Sequence, residues 1–381
     1  MRLLYIHFSL AITGGIERVL VDKMNYFANK DGYRVFFLTY DQGNHPLSYK
    51  LDDRISYKDL NICFHRIYKY IKPIRFFVKY QLTRLFEKRL RDEIKDISPD
   101  IIIGTEWTAA NSILRNKRTI PYVLESHFGF LTILNMRKSN IFKKMILYNQ
   151  YKEFAQADTI VALTKGDANL WHERHAKRVQ IIPNVVHLNN GSISEQKEKK
   201  VIFVGRLSEE KDIPSLLKIW RIVYSSHKDW KLDIYGDGEL KDDVIRYLNN
   251  NDENITLHEP SRDIFDIYRN SSVLLVTSKS ESFGLVLLEA MSCAVPVIAF
   301  DCPFGPKDII CDGENGFLIR NRNVESFANK LCLLMNNKDL RIGMGIKAIQ
   351  TANSYSAEII MPKWEKLFDD LTSNICNDDN N

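Results

Sequence analysis

Residues 274–308 read LLVTSKSESFGLVLLEAMSCAVPVIAFDCPFGPKD, and the order of apolar and polar residues in this stretch decides the fold. An apolar run over 273–276 ends in small polar residues, a helix-compatible segment follows over 285–291, and a second apolar run covers 295–300. A strand, a loop, a helix and a strand in this order form the repeating unit of a parallel sheet with helices packed on it. The sequence therefore predicts an α/β fold, with this loop at the carboxyl end of a strand, where open parallel sheets bind ligands.

The loop and the helix after it carry residues suited to a sugar nucleotide. Backbone N–H groups near Gly284 and Leu285 can face an anion, because the amino end of a helix favours negative charge. Gly284 has no Cβ, so a phosphate can approach the backbone closely. Carboxylates accept hydrogen bonds from hydroxyls, so Glu281 could hold the sugar and Glu289 the ribose. Glu281 could instead be a solvated loop residue, but Glu289 lies in a helix with almost no polar face, where an unpartnered carboxylate is costly.

This stretch resembles the retaining glycosyltransferases of family 4, which have the two-domain GT-B architecture. Glu281 and Glu289, with seven residues between them, match the signature of that family. The segments CPFGPKDII and DGENGFLI that follow resemble a subgroup of hexosaminyl- and galactosyltransferases that act on lipid-linked glycans. The resemblance implies that Glu281 contacts the donor sugar and that Glu289 binds the ribose. It also implies that the residues after Glu281 contact sugar and phosphate, chiefly through the backbone: Ser282, Phe283, Gly284 and Leu285.

The length and composition fit a protein of two domains. A chain of 381 residues is too long for one hydrophobic core, and 45% hydrophobic with 27% charged residues is an ordinary globular composition. Together with the resemblance, this predicts two Rossmann-like parallel-sheet domains that face each other across a cleft. The predicted boundaries are 1–190 for an acceptor-side domain, 191–355 for a nucleotide-sugar-binding domain, and 356–381 for a helix that crosses back to the first domain and ends in a polar tail.

The cysteines and the apolar segments bear on the compartment. Six cysteines form no CxxC pair and no Cys/His ligand spacing, so neither a disulfide framework nor a zinc site is expected, and a reducing compartment is favoured. The first apolar run stops at Gly14-Gly15, which suits a first strand and loop better than a signal peptide. No transmembrane segment is predicted, because the apolar stretch 284–300 contains Glu289 and Pro296 and is short for a span. The predicted location is the cytoplasm, at the inner face of the membrane.

Two features of the predicted first domain are candidates for contact with the donor. Gly14-Gly15 lies in a loop after the first predicted strand, where the backbone can approach a phosphate or a sugar, although a plain turn would use glycines equally well. His127 lies just past the strand predicted over 122–125 and could donate hydrogen bonds to a sugar, although a loop histidine is often structural. In the family, a glycine-rich loop and a histidine at these places face the donor, and TGGIERV and His127 resemble them.

In the predicted second domain, two cations follow the first strand. Arg206 comes directly after Gly205 at the end of the strand, and Lys211 comes five residues later before a helix, so both can point at one site. Arginine binds phosphate in a bidentate manner and lysine adds a point charge, which together would neutralise a diphosphate. Exposed surface charge would explain each residue singly, but the pattern GRL…EK matches the diphosphate-binding pair of the family.

The resemblance also implies a nucleotide and a reaction. The loop 258–261, which contains Glu259, corresponds to the one that meets the base, and a UDP-sugar is the favoured donor, although the glycine usual in this loop is absent. The implied reaction moves a hexosyl or N-acetylhexosaminyl unit to a hydroxyl of a glycan or polyprenyl-linked acceptor, with retention, by attack on the face of the leaving group. Glu106 and Glu125 are further carboxylates, which nothing in the sequence places at the anomeric carbon.

No cofactor is expected for this reaction. The chain contains no Asp-x-Asp, so a metal that bridges the diphosphate has no obvious ligands. Arg206, Lys211 and the helix end near Gly284 would instead stabilise the leaving diphosphate. Two alternatives remain at this point. A GT-B sugar-nucleotide epimerase would share the two sheets but need no acceptor, and a membrane-associated protein that binds sugar nucleotides without catalysis would turn over no donor.

The net charge of +5 is modest, but its distribution is uneven. Between Arg66 and Lys95 there are ten bases and three acids, with aromatic and aliphatic residues interspersed. A basic segment rich in aromatic residues suits the surface of an anionic membrane. A solvated basic helix packed on its domain would have the same pattern. Nucleic acid is a weaker possibility, because no DNA- or RNA-binding motif accompanies the charge.

Overall fold

The structure, a computed structural model, describes residues 1–105, 110–127, 152–195, 198–261 and 263–378. The chain divides into two compact units: unit 1 comprises Met1–Pro183 and Met361–Asn381, and unit 2 comprises Asn184–Ile360. Each unit has its own parallel sheet and its own hydrophobic core. The α/β class and the two parallel sheets predicted from the sequence are therefore confirmed.

Unit 1 contains a seven-stranded sheet in the order β3-β2-β1-β4-β5-β6-β7, in which all neighbours are parallel. The strands are β1 Arg2–His7, β2 Arg34–Thr39, β3 Ser56–Asp59, β4 Ile101–Thr105, β5 Tyr122–Ser126, β6 Thr159–Ala162 and β7 Val179–Ile181. The central strand β4 is buried along its whole length, which is why its sequence is mostly apolar. The strand order reverses between β1 and β4, and α/β sheets bind ligands at the carboxyl ends of strands beside such a reversal.

Among the described residues, the helices of unit 1 before its last one are α1 Gly15–Ala28, α2 Lys72–Ile97, α3 Ala110–Asn116 and α4 Lys165–Glu173. The long helix α2 changes character along its length. Its second half buries Phe86, Leu90 and Ile94, which are spaced by four residues and share one face, whereas no residue of α2 before Phe86 is buried. A search of the described residues finds no helix with both the length and the apolar character that a bilayer span requires.

Unit 2 contains a six-stranded parallel sheet in the order β10-β9-β8-β11-β12-β13. The strands are β8 Lys200–Val204, β9 Lys231–Tyr235, β10 Ile255–His258, β11 Val273–Val276, β12 Val297–Phe300 and β13 Gly316–Ile319. The helices are α5 Ile213–Tyr224, α6 Lys241–Asn250, α7 Ile264–Arg269, α8 Leu285–Ser292, α9 Pro306–Ile309, α10 Val324–Asn336 and α11 Lys338–Asn353. In this sheet the order reverses between β8 and β11, so the loops after these two strands flank the position expected for a ligand.

The last helix, α12 Ala357–Asp378, brings the end of the chain back to unit 1. The rings of Phe368 and Phe27 lie 5.3 Å apart between centroids, and the Tyr26 hydroxyl donates to Glu365 at 2.9 Å. Arg178 forms an ion pair with Asp370 at 2.9 Å. Aromatic packing on α1 and this ion pair therefore hold the returning helix in place.

The segment after Pro183 belongs to unit 2, whereas the boundary predicted from the sequence lies after residue 190. The backbone N–H of Asn189 donates to the Ser292 hydroxyl at 3.1 Å. Ser194 is buried. Its N–H donates to the Cys293 carbonyl at 2.8 Å, and its hydroxyl donates to the Ser271 carbonyl at 2.7 Å. Polar residues that suit a linker are used here to satisfy the backbone of unit 2.

Candidate functional site

The loops after β8 and β11 bring together two residues that the sequence assigned separately to the donor. Lys211 Nζ donates to Glu281 Oε1 at 2.5 Å, and the Ser278 hydroxyl donates to the same oxygen at 2.6 Å. Both charged side chains are largely enclosed, since 22% of Lys211 and 10% of Glu281 is exposed. A cation and a carboxylate thus lie in contact at the strand reversal of unit 2.

Arg206 lies in the same loop as Lys211 but in a different electrostatic situation. Its side chain is exposed, and it makes no hydrogen bond or ion pair with any other residue that the structure describes. Because its guanidinium keeps five N–H donors, it can bind a carboxylate or phosphate without first leaving another partner. The two predicted cations therefore differ: Lys211 is paired with Glu281, and Arg206 is available.

Glycines allow the loops after β8 and β9 to touch. A Cβ on Gly236 would overlap the carbonyl oxygen of Gly205, and a Cβ on Gly238, whose φ is +151°, would lie 2.5 Å from the Leu207 carbonyl oxygen. The contact is reinforced because the Leu207 N–H donates to the Asp237 carbonyl at 2.9 Å. The Gly-Asp-Gly turn thus supports the loop that carries Arg206.

Arg322 also supports the loop that carries Glu281, and sequence reasoning missed this residue. It donates to the Ser278 carbonyl at 2.8 Å and to the Thr277 carbonyl at 2.8 Å, and it forms an ion pair with Asp212. Its own φ is +50°, an unusual value for a residue with a Cβ. Arg322 lies 44 residues beyond Ser278, and no local pattern marks it.

Helix α8 begins as the sequence predicted, and its amino end carries the remaining residues of the motif. Gly284 precedes the first turn with a φ of +93°, which an L side chain adopts only with strain. Phe283 is buried, with its ring 5.6 Å from that of Tyr355, while Ser282 and Leu285 are partly exposed. The left-handed glycine turns the chain into the helix and leaves its amino end beside Glu281.

The two remaining acids predicted to contact the nucleotide have opposite environments. Glu289 is buried on α8, and the Tyr268 hydroxyl donates to its Oε2 at 3.4 Å. Glu259 is exposed and accepts from Lys241 at 2.6 Å, so its side chain belongs to a surface ion pair. Any contact of this loop with a base is thus expected through its backbone, and both assignments stay predictions.

In unit 1, the glycine loop after β1 is already covered by a carboxylate. Gly14 caps α1 and Gly15 is its first residue, and a Cβ on Gly14 would overlap Oε2 of Glu17. Glu17 is itself buried and lies 3.9 Å from His7 Nε2. Of the two ligands that the sequence allowed here, a sugar hydroxyl fits better than a phosphate, because a phosphate would meet a negative charge.

His127 follows β5 directly and is buried. Its Nε2 lies 3.1 Å from Oε2 of Glu125, and the same oxygen forms an ion pair with Lys23. Glu125, which the sequence left without a role, therefore contacts His127. Glu106, the other carboxylate that the sequence left without a role, lies outside the described residues.

Two family profiles together match most of the chain. "Glycosyltransferase Family 4" matches residues 13–190, and "Glycosyl transferases group 1" matches residues 189–351. The chain belongs to the GT-B glycosyltransferases. The two matches meet close to the division between units 1 and 2, and the second one contains the whole loop system built by Arg206, Lys211 and Glu281.

Relatives of this glycosyltransferase span nearly its whole length. An uncharacterised glycosyltransferase of Haemophilus influenzae is 27% identical over 94% of this chain and 97% of its own. A Campylobacter jejuni α-1,4-N-acetyl-D-galactosaminyltransferase, whose name describes an undecaprenol-linked acceptor, is 23% identical over 93% of this chain and 95% of its own. Among solved structures, a variant of TarM from S. aureus bound to fondaparinux, alpha-GlcNAc-glycerol and UDP has a TM-score of 0.77 and 18% identity, with coverage of 97% and 100%. That likeness shows the fold.

Within the part of this glycosyltransferase that the structure describes, one group of side chains could reach a common metal ion. Asp41, Cys63 and His65 offer ligand atoms that all lie within 4.8 Å of one another, and His65 Nδ1 is 3.3 Å from Asp41 Oδ1. The group was not recognised in the sequence, because Asp41 is remote from the other two. It lies after β2 and β3, and the donor residues predicted in unit 1 lie after β1 and β5.

Proposed function

We propose that the chain is a retaining, metal-independent hexosyltransferase. It moves a hexosyl or N-acetylhexosaminyl unit from a UDP-sugar to a hydroxyl of a glycan or lipid-linked glycan. The observation that carries this proposal is the Lys211–Glu281 contact at 2.5 Å beside the amino end of α8, with Arg206 available in the same loop. A diphosphate needs cations, a sugar needs hydrogen-bond acceptors, and these lie side by side here.

Unit 2 supplies the contacts to the nucleotide and to the leaving group. Arg206 and Lys211 bind the diphosphate, and the backbone from Ser282 to Leu285 adds N–H donors at the helix end. Glu281 accepts hydrogen bonds from the hydroxyls of the donor sugar, and its pairing with Lys211 fixes the sugar next to the phosphate. Glu289 binds the ribose, and the backbone around Glu259 meets the uracil.

Unit 1 supplies contacts to the donor sugar. His127 and the Gly14-Gly15 loop face the sugar, and the Glu17 carboxylate over Gly14 accepts from its hydroxyls. A phosphate would meet the negative charge of Glu17, so this loop is assigned to sugar hydroxyls alone. A sugar without hydroxyls towards Glu17 would lose this contact and bind less well.

The reaction exchanges one bond at the anomeric carbon for another. The bond from that carbon to the diphosphate oxygen breaks, and the acceptor oxygen forms a new bond on the same face, which retains the configuration. The acceptor proton passes to the departing phosphate oxygen, so UDP leaves with it. Arg206, Lys211 and the amino end of α8 stabilise the charge that develops on the diphosphate, and no metal is required for this.

The acceptor is proposed to lie at an anionic membrane, where a lipid-linked glycan would be found. The apolar side chains of the basic segment stand out into solvent, with Tyr68 72%, Phe76 78% and Phe77 59% exposed. Bases accompany them: Arg75 lies over the Tyr68 ring at 5.3 Å, and Arg84 over the Tyr80 ring at 5.5 Å. Exposed aromatic residues among cations match the interface of an anionic bilayer, where rings enter the headgroup layer and bases meet the phosphates.

Replacing Phe76 and Phe77 together with serine should weaken binding to vesicles of anionic lipid about tenfold or more, because two exposed rings no longer enter the bilayer. Co-sedimentation with anionic and with zwitterionic vesicles measures this. The matched control replaces Ile342 and Ile346, two exposed residues of α11, with serine and should bind like the parent. Equal binding by parent and double variant, or equal binding to both kinds of vesicle, would disprove the membrane contact.

The transfer itself is tested with a panel of UDP-sugars and a polyprenyl-diphosphate-linked oligosaccharide. UDP release that depends on the acceptor is expected, and the coupling constant of the new anomeric proton should show the configuration of the donor. Inverted product would remove only the retaining mechanism. Epimerised donor without any acceptor, or no turnover of any donor, would refute the transferase.

A further inference from the structure

His127 belongs to a connected group of buried side chains in unit 1, together with Lys23 and Glu125. Lys23, Glu125 and His127 are 4%, 1% and 2% exposed. Lys23 Nζ and His127 Nε2 both meet one atom, Oε2 of Glu125, and the histidine contact is 3.1 Å long. A single carboxylate oxygen thus connects helix α1 to the residue after β5.

The charge on Glu125 determines which nitrogen of His127 carries a proton. Burial alone would raise the pKa of the Glu125 carboxyl, but the charge of Lys23 and the hydrogen bond from His127 lower that pKa from 4.5 to about 2. An ionised carboxylate only accepts hydrogen bonds, so Nε2 of His127 must be the donor. In a neutral imidazole, Nδ1 is then an acceptor, and it has no hydrogen-bond partner among the described residues.

We propose that Glu125 and Lys23 are positioning residues that hold His127 with its proton on Nε2, so that Nδ1 accepts a hydrogen bond from a hydroxyl of the donor sugar. The identity of this ligand rests on the proposed function. The direction of the bond is the reverse of the one expected from the sequence, in which His127 donates to the sugar. The arrangement selects donors that present a hydroxyl to Nδ1.

Lys23 is itself fixed, so the carboxylate cannot drift away from His127. Its Nζ lies 3.9 Å from the centroid of the Trp364 ring on α12 and 5.8 Å from that of Tyr5 on β1. These cation–π contacts stabilise a buried ammonium beside its carboxylate. The helix that returns to unit 1 therefore contributes to the orientation of His127 through Lys23.

The informative variant removes both charges together. Loss of Glu125 alone would leave the Lys23 charge buried without its partner and could unfold the protein. The double variant Lys23→Met/Glu125→Leu replaces the pair with apolar side chains of similar volume, a change that buried ion pairs often tolerate. The matched control Lys30→Met/Glu365→Leu removes a different ion pair of unit 1, between Lys30, which follows α1, and Glu365 on α12, and this pair does not touch Glu125.

Long-range proton–nitrogen NMR of the full chain with ¹⁵N-labelled histidine reports the tautomer, and the signals of His127 are assigned by their loss in His127→Asn. The parent and the control should show a proton on Nε2, whereas the double variant should show both tautomers. With a UDP-sugar donor, kcat/KM should fall about tenfold in the double variant, as expected for one hydrogen bond, and stay unchanged in the control.

A parent with its proton on Nδ1, or a double variant with the spectrum and rate of the parent, would overturn the proposal. If the parent transfers no sugar, the proposed function fails, but the spectra still decide whether Lys23 and Glu125 set the tautomer of His127. The two failures are therefore distinguishable.

Discussion

Replacing Arg206 with alanine should lower kcat about 10²- to 10³-fold, because a preorganised charge on the leaving group is lost from the transition state. The Arg206 side chain makes no hydrogen bond or ion pair with the described residues, so its replacement breaks no such contact in the free protein. Arg206→Lys should recover part of the rate, since lysine supplies the charge without the bidentate geometry. Steady-state kinetics of UDP release measures both variants.

The matched control for this prediction is Arg246→Ala. Arg246 lies on α6 of the same unit, is exposed, and pairs with Asp243 at 2.7 Å, so its removal tests the loss of a surface arginine alone. Its kinetics should equal those of the parent. If Arg206→Ala also has the kcat of the parent, the diphosphate is not bound by this loop.

Replacing Gly236 with alanine should lower the free energy of unfolding of unit 2 by about 1–3 kcal/mol, the usual cost of overpacking, and should reduce activity as well. The new Cβ would overlap the Gly205 carbonyl oxygen, which belongs to the backbone and cannot rotate away. Relief requires the loops after β8 and β9 to separate, which displaces Arg206. Urea unfolding and the UDP-release assay together measure the two effects.

Gly343→Ala serves as the control for Gly236→Ala. Gly343 lies inside α11, and a Cβ there would meet no atom within 4 Å. Alanine should therefore stabilise the helix by about 0.5–1 kcal/mol and leave activity unchanged. Equal stability of Gly236→Ala and the parent would mean that the two loops do not pack as described.

Local sequence predicted the elements well where an apolar run ends at glycine or polar residues. β11 covers Val273–Val276, the predicted apolar run, and α8 starts at Leu285, directly after Gly284, as predicted. These elements depend on neighbours in the chain, so their signals are local. The family motif then placed Lys211 and Glu281 at the ends of two strands, which parallel topology brings together.

What sequence reasoning missed depends on contacts between distant residues. Glu125 meets Lys23 across 102 residues, and Arg322 meets Asp212 across 110 residues. The Glu17 carboxylate over Gly14 depends on a side-chain conformation that no motif encodes. The sequence predicted that the first half of α2 is basic and aromatic. That buried residues occur only in the second half was seen only in the structure.

The central claim is that unit 2 binds a diphosphate through Arg206, Lys211 and the amino end of α8. Titration calorimetry of the parent protein with UDP and with uridine tests it most directly. The account predicts that UDP binds at least about 100-fold more tightly than uridine, since two charged contacts depend on the diphosphate. It also predicts that this difference largely disappears in Arg206→Ala/Lys211→Ala. Equal affinity of the parent for UDP and uridine would contradict it.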